Sequence, residues 1–139
     1  MPQITRISGD AVDLAPRLAT TKTVAGSPTD ATETIVASVT IREDLAVGSG
    51  ILLIGWGAYT IGTNGVSCNL KIRRTNASGT TVAATGAVTG TAANLASLAV
   101  VGFDTGIATA GAVYVLTATL ASATAASTFS AAQLTAIVI

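Results

Sequence analysis

The sequence predicts an all-β protein: an antiparallel two-sheet sandwich of jelly-roll type, preceded by an extended N-terminal arm. Three observations carry this. Apolar residues alternate with Thr and Ser at a period of two along several segments after residue 33, the spacing of half-buried strands. These segments are rich in Val, Ile and Thr, are separated by Gly-bearing turns, and show no recurrent helical pattern. Charge is sparse, at 10%, and segregated, so that residues 45–139 carry only Lys71, Arg73, Arg74 and Asp104. A soluble domain ordinarily has about 25% charged residues, so much of this surface is expected to lie under hydroxyls or against other subunits.

Two regions follow from the composition. Residues 1–30 hold Pro2, Pro16 and Pro28, all the prolines of the chain, and lack sustained alternation. They read either as an arm that Ile4, Ile7, Val12, Leu14 and Leu18 pin to a neighbouring surface, or as a disordered tail. Residues 31–139 form the sandwich domain, and a single core suffices for a chain of 139 residues.

The strands of that domain can be taken in order. Over 34–41, Ile35, Ala37, Val39 and Ile41 are expected on the covered face, with Thr34, Ser38 and Thr40 opposite. A turn at 42–44 and a flexible stretch at 47–50 lead into 51–61, where both faces are apolar. There Ile51, Leu53, Tyr59 and Ile61 line one face and Leu52, Ile54, Trp56 and Ala58 the other, so one is expected on the core and the other on a subunit contact. Gly55 and Gly57 flank Trp56, which suits close packing or a bulge. The pair Asn64-Gly65 suits a tight turn. After it, Val66, Cys68, Leu70 and Ile72 should point inward while Ser67, Asn69, Lys71 and Arg73 point outward. Residues 76–79 close a hairpin to 80–85, a further strand falls around 95–103, and 111–120 places Tyr114, Leu116, Ala118 and Leu120 inward. Residues 121–132 suit a short helix, a β-edge or a long loop, and 132–139 form the last strand. Eight strands in a jelly roll fit this series. An immunoglobulin-like sandwich fits less well, because its Cys…Trp…Cys spacing is missing.

The residue inventory argues against an enzyme. Histidine is absent, which removes the commonest general base and metal ligand. Asp104 is the only carboxylate side chain after Asp44, and no nucleophile elbow or complete phosphate-binding loop occurs. No cofactor or metal is implied; Asp104 reads as a turn residue and Cys68 as a small buried hydrophobe. Lys71, Arg73 and Arg74 sit on a chain of zero net charge, a weak footprint for nucleic acid. A solvated face, or an interface salt bridge from this cluster to an arm carboxylate such as Asp10 or Asp13, suits them better. No run of 18 apolar residues suggests a membrane span. Trp56, between two glycines, suits core or interface packing ahead of a sugar-stacking platform.

The succession 33–41, 48–60, 69–85, 111–120 and 132–139 resembles the β-sandwich modules of tailed-phage virion proteins. The nearest type is the capsid-decoration, or head-stabilising, proteins, with tail-fibre tips as a neighbouring possibility. The resemblance implies a non-enzymatic structural protein on the capsid surface of a virion, made in the host cytoplasm. It would be a homotrimer seated on the major capsid protein, with residues 1–30 reaching a neighbour. Expected interface residues are Ile4, Ile7, Val12 and Leu14 in the arm, and Leu52, Ile54, Trp56 and Arg73 in the domain. The alternative it implies is a glycan- or receptor-binding module of a phage tail or fibre tip.

Overall fold

Alternation in the sequence becomes alternation in space. A computed structural model describes residues 18–22, 32–41, 50–60, 66–90, 95–105, 111–121 and 128–139. The strands are β1 (Leu18–Lys22), β2 (Thr34–Thr40), β3 (Ile51–Thr60), β4 (Ser67–Arg74), β5 (Thr81–Ala84), β6 (Val88–Thr89), β7 (Leu95–Asp104), β8 (Val113–Ala121) and β9 (Thr128–Val138). The first sheet runs β1-β9-β3-β7 and the second β2-β8-β4-β5, with β6 also on β4.

The pairing pattern identifies the topology. The chain is folded double about the β4–β5 hairpin, so that β4 meets β5, β3 meets β7, β2 meets β8 and β1 meets β9, all antiparallel. β9 then also pairs with β3, and β8 with β4, which completes the two sheets. This doubled winding is a jelly roll. β6 continues the path of β5 along β4 with one residue to spare, and Thr85 occupies the break: its hydroxyl accepts from the Leu70 N–H at 2.9 Å.

Four local features differ from the sequence expectation. A bulge between Ile35 and Ala37 turns Val36 into the core, where it is fully buried, and leaves Ile35 half-buried. An extra residue on one strand shifts every side chain beyond it to the other face. The last strand begins at Thr128, inside the segment whose Ala, Ser and Thr left helix, edge and loop open; pairing with β3 decides for strand. Residues 18–22, within the stretch read as an arm, form β1 on the edge of the first sheet. The two-residue β6 had no sequence signal. The inward positions of 66–72 and 114–120 are buried as the alternation requires.

The core lies between the sheets and is aliphatic, with three rings, Tyr59, Tyr114 and Phe129. Tyr59 and Phe129 stack with centroids 6.4 Å apart and planes 5° from parallel. Gly55 and Gly57 make this packing possible. A Cβ on Gly57 would lie 2.3 Å from Phe129 Cζ, and one on Gly55 would lie 2.7 Å from a methyl of Leu116 on the opposite sheet.

Polar ties join the sheets at both ends of the sandwich. At one end Arg74, at the close of β4, reaches across to Asp104, at the close of β7, with Nε donating to Oδ2 at 2.7 Å and a second bond from Nη2 to Oδ1. The Tyr114 hydroxyl donates to the same carboxylate at 2.9 Å. The Asp104 side chain is 2% exposed, so it is a buried anion held by a cation and a phenol rather than a solvated turn residue. Burial, and after it the neighbouring carboxylate, push the Tyr114 phenol above its usual range. At the other end the Tyr59 hydroxyl donates to the Val88 carbonyl at 3.4 Å.

Breaking a buried pair by removing one partner costs more than replacing both. Arg74→Met is therefore expected to destabilise the domain by about 2 kcal/mol or more in urea unfolding. Asp104→Asn added to it should cost at least about 1 kcal/mol less than the two single changes summed.

Candidate assembly surface

Each sheet has an inner face on the core and an outer face, and the two outer faces differ in chemistry. On the first sheet, register places side chains in transverse rows. Phe103, Leu52 and Ile137 form one row, Val101, Ile54 and Thr135 the next, and Ala99, Trp56 and Gln133 the third. Directly opposed residues of an antiparallel pair share a face. The β9, β3 and β7 members of these rows carry no charge, while at the sheet's edge register sets Lys22 of β1 opposite Gln133.

Val101 is 62% exposed, Phe103 49% and Ile54 36%, and Ile139 stands exposed beside them at the strand ends. Leu52 and Trp56 are half-buried within the face. Trp56 is fixed in place by its indole N–H, which donates to Gln133 Oε1 at 3.0 Å. It therefore lies on the outer face and outside the core. An exposed aliphatic and aromatic face of this kind is a candidate contact surface.

Of the residues expected at an interface, the structure gathers Leu52, Ile54 and Trp56 on this face. Arg73 lies apart, on the outer side of the second sheet. Ile4, Ile7, Val12 and Leu14 fall outside the described residues. Val101 and Phe103, the most exposed large hydrophobes of the face, had not been assigned to it. The alternation of Ala99, Val101 and Phe103 against Leu98, Val100 and Gly102 was legible, but which set faced the core depended on the pairing with β3.

The outer face of the second sheet is polar and holds an ion cluster. Glu33, just before β2, lies over β8 and β4. It accepts from Arg73 Nε at 2.5 Å and Nη2 at 2.9 Å, from Lys71 Nζ at 3.0 Å and from the Thr117 hydroxyl at 2.5 Å. Arg73 also donates to the Gly79 carbonyl and the Thr81 hydroxyl. Arg73 is thus paired with Glu33, while Asp10 and Asp13, the arm carboxylates expected to meet this cluster, fall outside the described residues. Glu33 is close because β2 pairs with β8, a neighbour that sequence distance concealed. The Arg73 guanidinium, aided by Thr117 and Lys71 and opposed by partial burial, lowers the Glu33 carboxyl from 4.5 to about 2.

Lys71 and Arg73 share one carboxylate, and Arg74 has its own. Burial pushes the Cys68 thiol up to about 12, so it stays protonated and packs as a hydrophobe. Among the described residues no group of three His, Cys, Asp or Glu side chains converges to hold a metal ion.

The lowered Glu33 pKa is a stability term. Its contribution is fully present above the unfolded value near 4.5 and is lost as pH falls toward about 2. Urea unfolding at pH 7 and pH 3 should show a loss of stability on acidification. Glu33→Gln should make that loss smaller by on the order of 2 kcal/mol.

Comparison with known proteins bears on the fold. No family model matches the sequence, and no curated protein matches it. Solved structures do share its fold. A chain from the structure of infectious bursal virus derived T=1 particles superposes with a TM-score of 0.60 at 14% identity, over 88% of this chain and 31% of that one. The VP2 subviral particle of infectious bursal disease virus gives 0.53 at 16% identity, over 88% of this chain and 33% of that one. Latent PorU from Porphyromonas gingivalis gives 0.53 at 10% identity, over 88% of this chain and 12% of that one. The chain thus spans about a third of the length of the viral proteins it matches, and what it shares with them is the sandwich fold.

Proposed function

We propose that the chain is a non-enzymatic structural protein of a virion, a homotrimer that binds and stabilises a phage capsid. The observation that carries this reading is the apolar outer face of β3 and β7, on which Ile54, Val101 and Phe103 are exposed around Leu52 and Trp56. The jelly-roll fold shared with chains from viral particles supports it.

Burial of apolar surface stabilises a contact by roughly 25 cal/mol per Å². The face therefore acts by covering its Leu, Ile, Val and aromatic surface with a sister subunit. The residues before β1 serve as the arm, with Ile4, Ile7, Val12 and Leu14 seated on a neighbour or on the major capsid protein. Attachment in this scheme needs neither nucleic acid nor membrane, and the capsid surface is where the protein works.

A second reading has one observation in its favour. Phe103 presents its ring on the surface, as a sugar-stacking residue of a tail or fibre tip would. Glycan affinity that disappears in Phe103→Ala, together with indifference to capsids, decides for that module.

Sedimentation and mass measurement, followed by mixing with undecorated phage capsids, test the first reading. The intact protein is expected to be a trimer that binds the shell. Ile54→Asp should weaken trimerisation at least tenfold, about 1.4 kcal/mol, with little change in folding, because the side chain it replaces is already part-exposed. Deleting residues 2–17, which spares β1, should leave the sandwich folded and reduce capsid attachment. A monomer that ignores capsids, or a trimer untouched by both changes, counts against the proposal.

A further inference from the structure

The four sheet edges are not alike. β1 has five residues, β2 is bulged at Ile35/Ala37, and the edge formed by β5 and β6 is short and broken at Thr85. Short, bulged or interrupted edges are the ordinary means of discouraging strand addition. β7 has none of these features. Its ten residues hold an unbroken register with β3 from Ile51↔Asp104 to Thr60↔Leu95. It contains no proline, and its one charge, Asp104, is turned inward to Arg74.

The direction of the β7 backbone follows from the hydrogen bonds at the chain end. Gly50 and Ile139 exchange both backbone bonds, so Gly50 points its N–H and C=O toward β9. Alternation along β3 then points Leu52, Ile54 and Trp56 toward β9, and Ile51, Leu53 and Gly55 toward β7. Hence Leu53↔Gly102 and Gly55↔Val100 are the hydrogen-bonded pairs of the β3–β7 ladder. Ala99, Val101 and Phe103 direct their N–H and C=O to the outer edge. All three residues are exposed, and among the described residues only β3 is laddered to β7.

We infer that this edge is a second assembly site, occupied by β7 of another copy of the same chain in antiparallel, two-fold pairing centred on Val101. Centring there sets Val101 against its own counterpart and Ala99 against Phe103 of the second copy, in both directions. These are the residues whose backbone groups face outward, so every one of these pairs exchanges two hydrogen bonds. On the shared outer face the large Phe103 ring meets the small Ala99, and two β-branched side chains meet at the axis.

A two-fold axis sets each strand against itself and would bring like charges together on a charged edge. β7 has no charge on that face. The inner side of β7 is already closed, since a Cβ on Gly102 would lie 2.8 Å from Ala83 Cβ, so the second copy adds laterally. The paired sheets would also present one continuous apolar face. The inference concerns the strand edge and does not rest on the proposed virion role.

The test uses the full chain. Val101→Cys should form an intermolecular disulfide under mild oxidation, because the paired Cα atoms lie about 5.5 Å apart, within disulfide reach. Buried Cys68 does not compete. Ala99→Cys and Phe103→Cys should cross-link when mixed and not when alone. Val101→Lys, which opposes two lysines, and Val101→Pro, which removes the outward N–H, should each weaken self-association at least tenfold in sedimentation, with the Lys variant unfolding at the wild-type urea midpoint. Ile54→Asp should leave the Val101→Cys cross-link intact, which separates failure at the edge from failure at the face. A Val101→Cys protein that stays monomeric, cross-linking of Ala99→Cys or of Phe103→Cys with itself in place of the mixed pair, or self-association unchanged in Val101→Lys overturns the inference.

Discussion

The close approach of the two sheets is the condition on which the rest of the molecule depends. The core is built almost wholly from Val, Ile, Leu and Ala, with rings at Tyr59, Tyr114 and Phe129. Such a core reaches interior density only if large groups meet positions without side chains. Gly55 receives Leu116, Gly57 receives Phe129, and Gly102 lets β7 settle onto Val82 and Ala83. Larger residues at these points would hold the sheets apart. The Arg74–Asp104 bridge, anchored by Tyr114, and the Tyr59–Val88 bond would then lose their reach.

Those glycines also shape the outer surface. β3 lies between β9 and β7, and its inner positions include Gly55 and Gly57, so much of its apolar bulk, Leu52, Ile54 and Trp56, is carried outward. The second sheet arranges its residues differently. There Lys71 and Arg73 converge on Glu33 above a fully buried Thr117, and the outer face is closed by ions and hydroxyls. The result is a two-sided domain in which one outer face is crossed by ion pairs and the other is largely hydrocarbon.

Much of this was legible in the sequence, and the gaps have physical causes. Period-two alternation placed Val66, Cys68, Leu70 and Ile72 inside, and the two apolar faces of 51–61 foretold both the core contact and the bare surface. Alternation fails at bulges, as at Val36, since one inserted residue reverses the pattern without changing composition. It is also silent about which strands become neighbours, which is why Glu33 was missed as the partner of Arg73 and why Val101 and Phe103 were not assigned to the surface. β1 escaped notice because five residues beside prolines and charges show too little repetition. Asp104 looked like a turn residue from its Asp-Thr-Gly setting, and only the fold reveals the cation across the gap.

The segregation of charge has a consequence for the medium in which this protein works. The β9, β3 and β7 side chains of the bare face include no ion to be screened. Contacts made there owe their strength to water leaving hydrocarbon, which ordinary electrolyte leaves in place and strongly hydrated anions such as sulfate reinforce. A contact confined to those side chains would therefore respond less to ionic strength than one made through Lys71, Arg73 and Glu33.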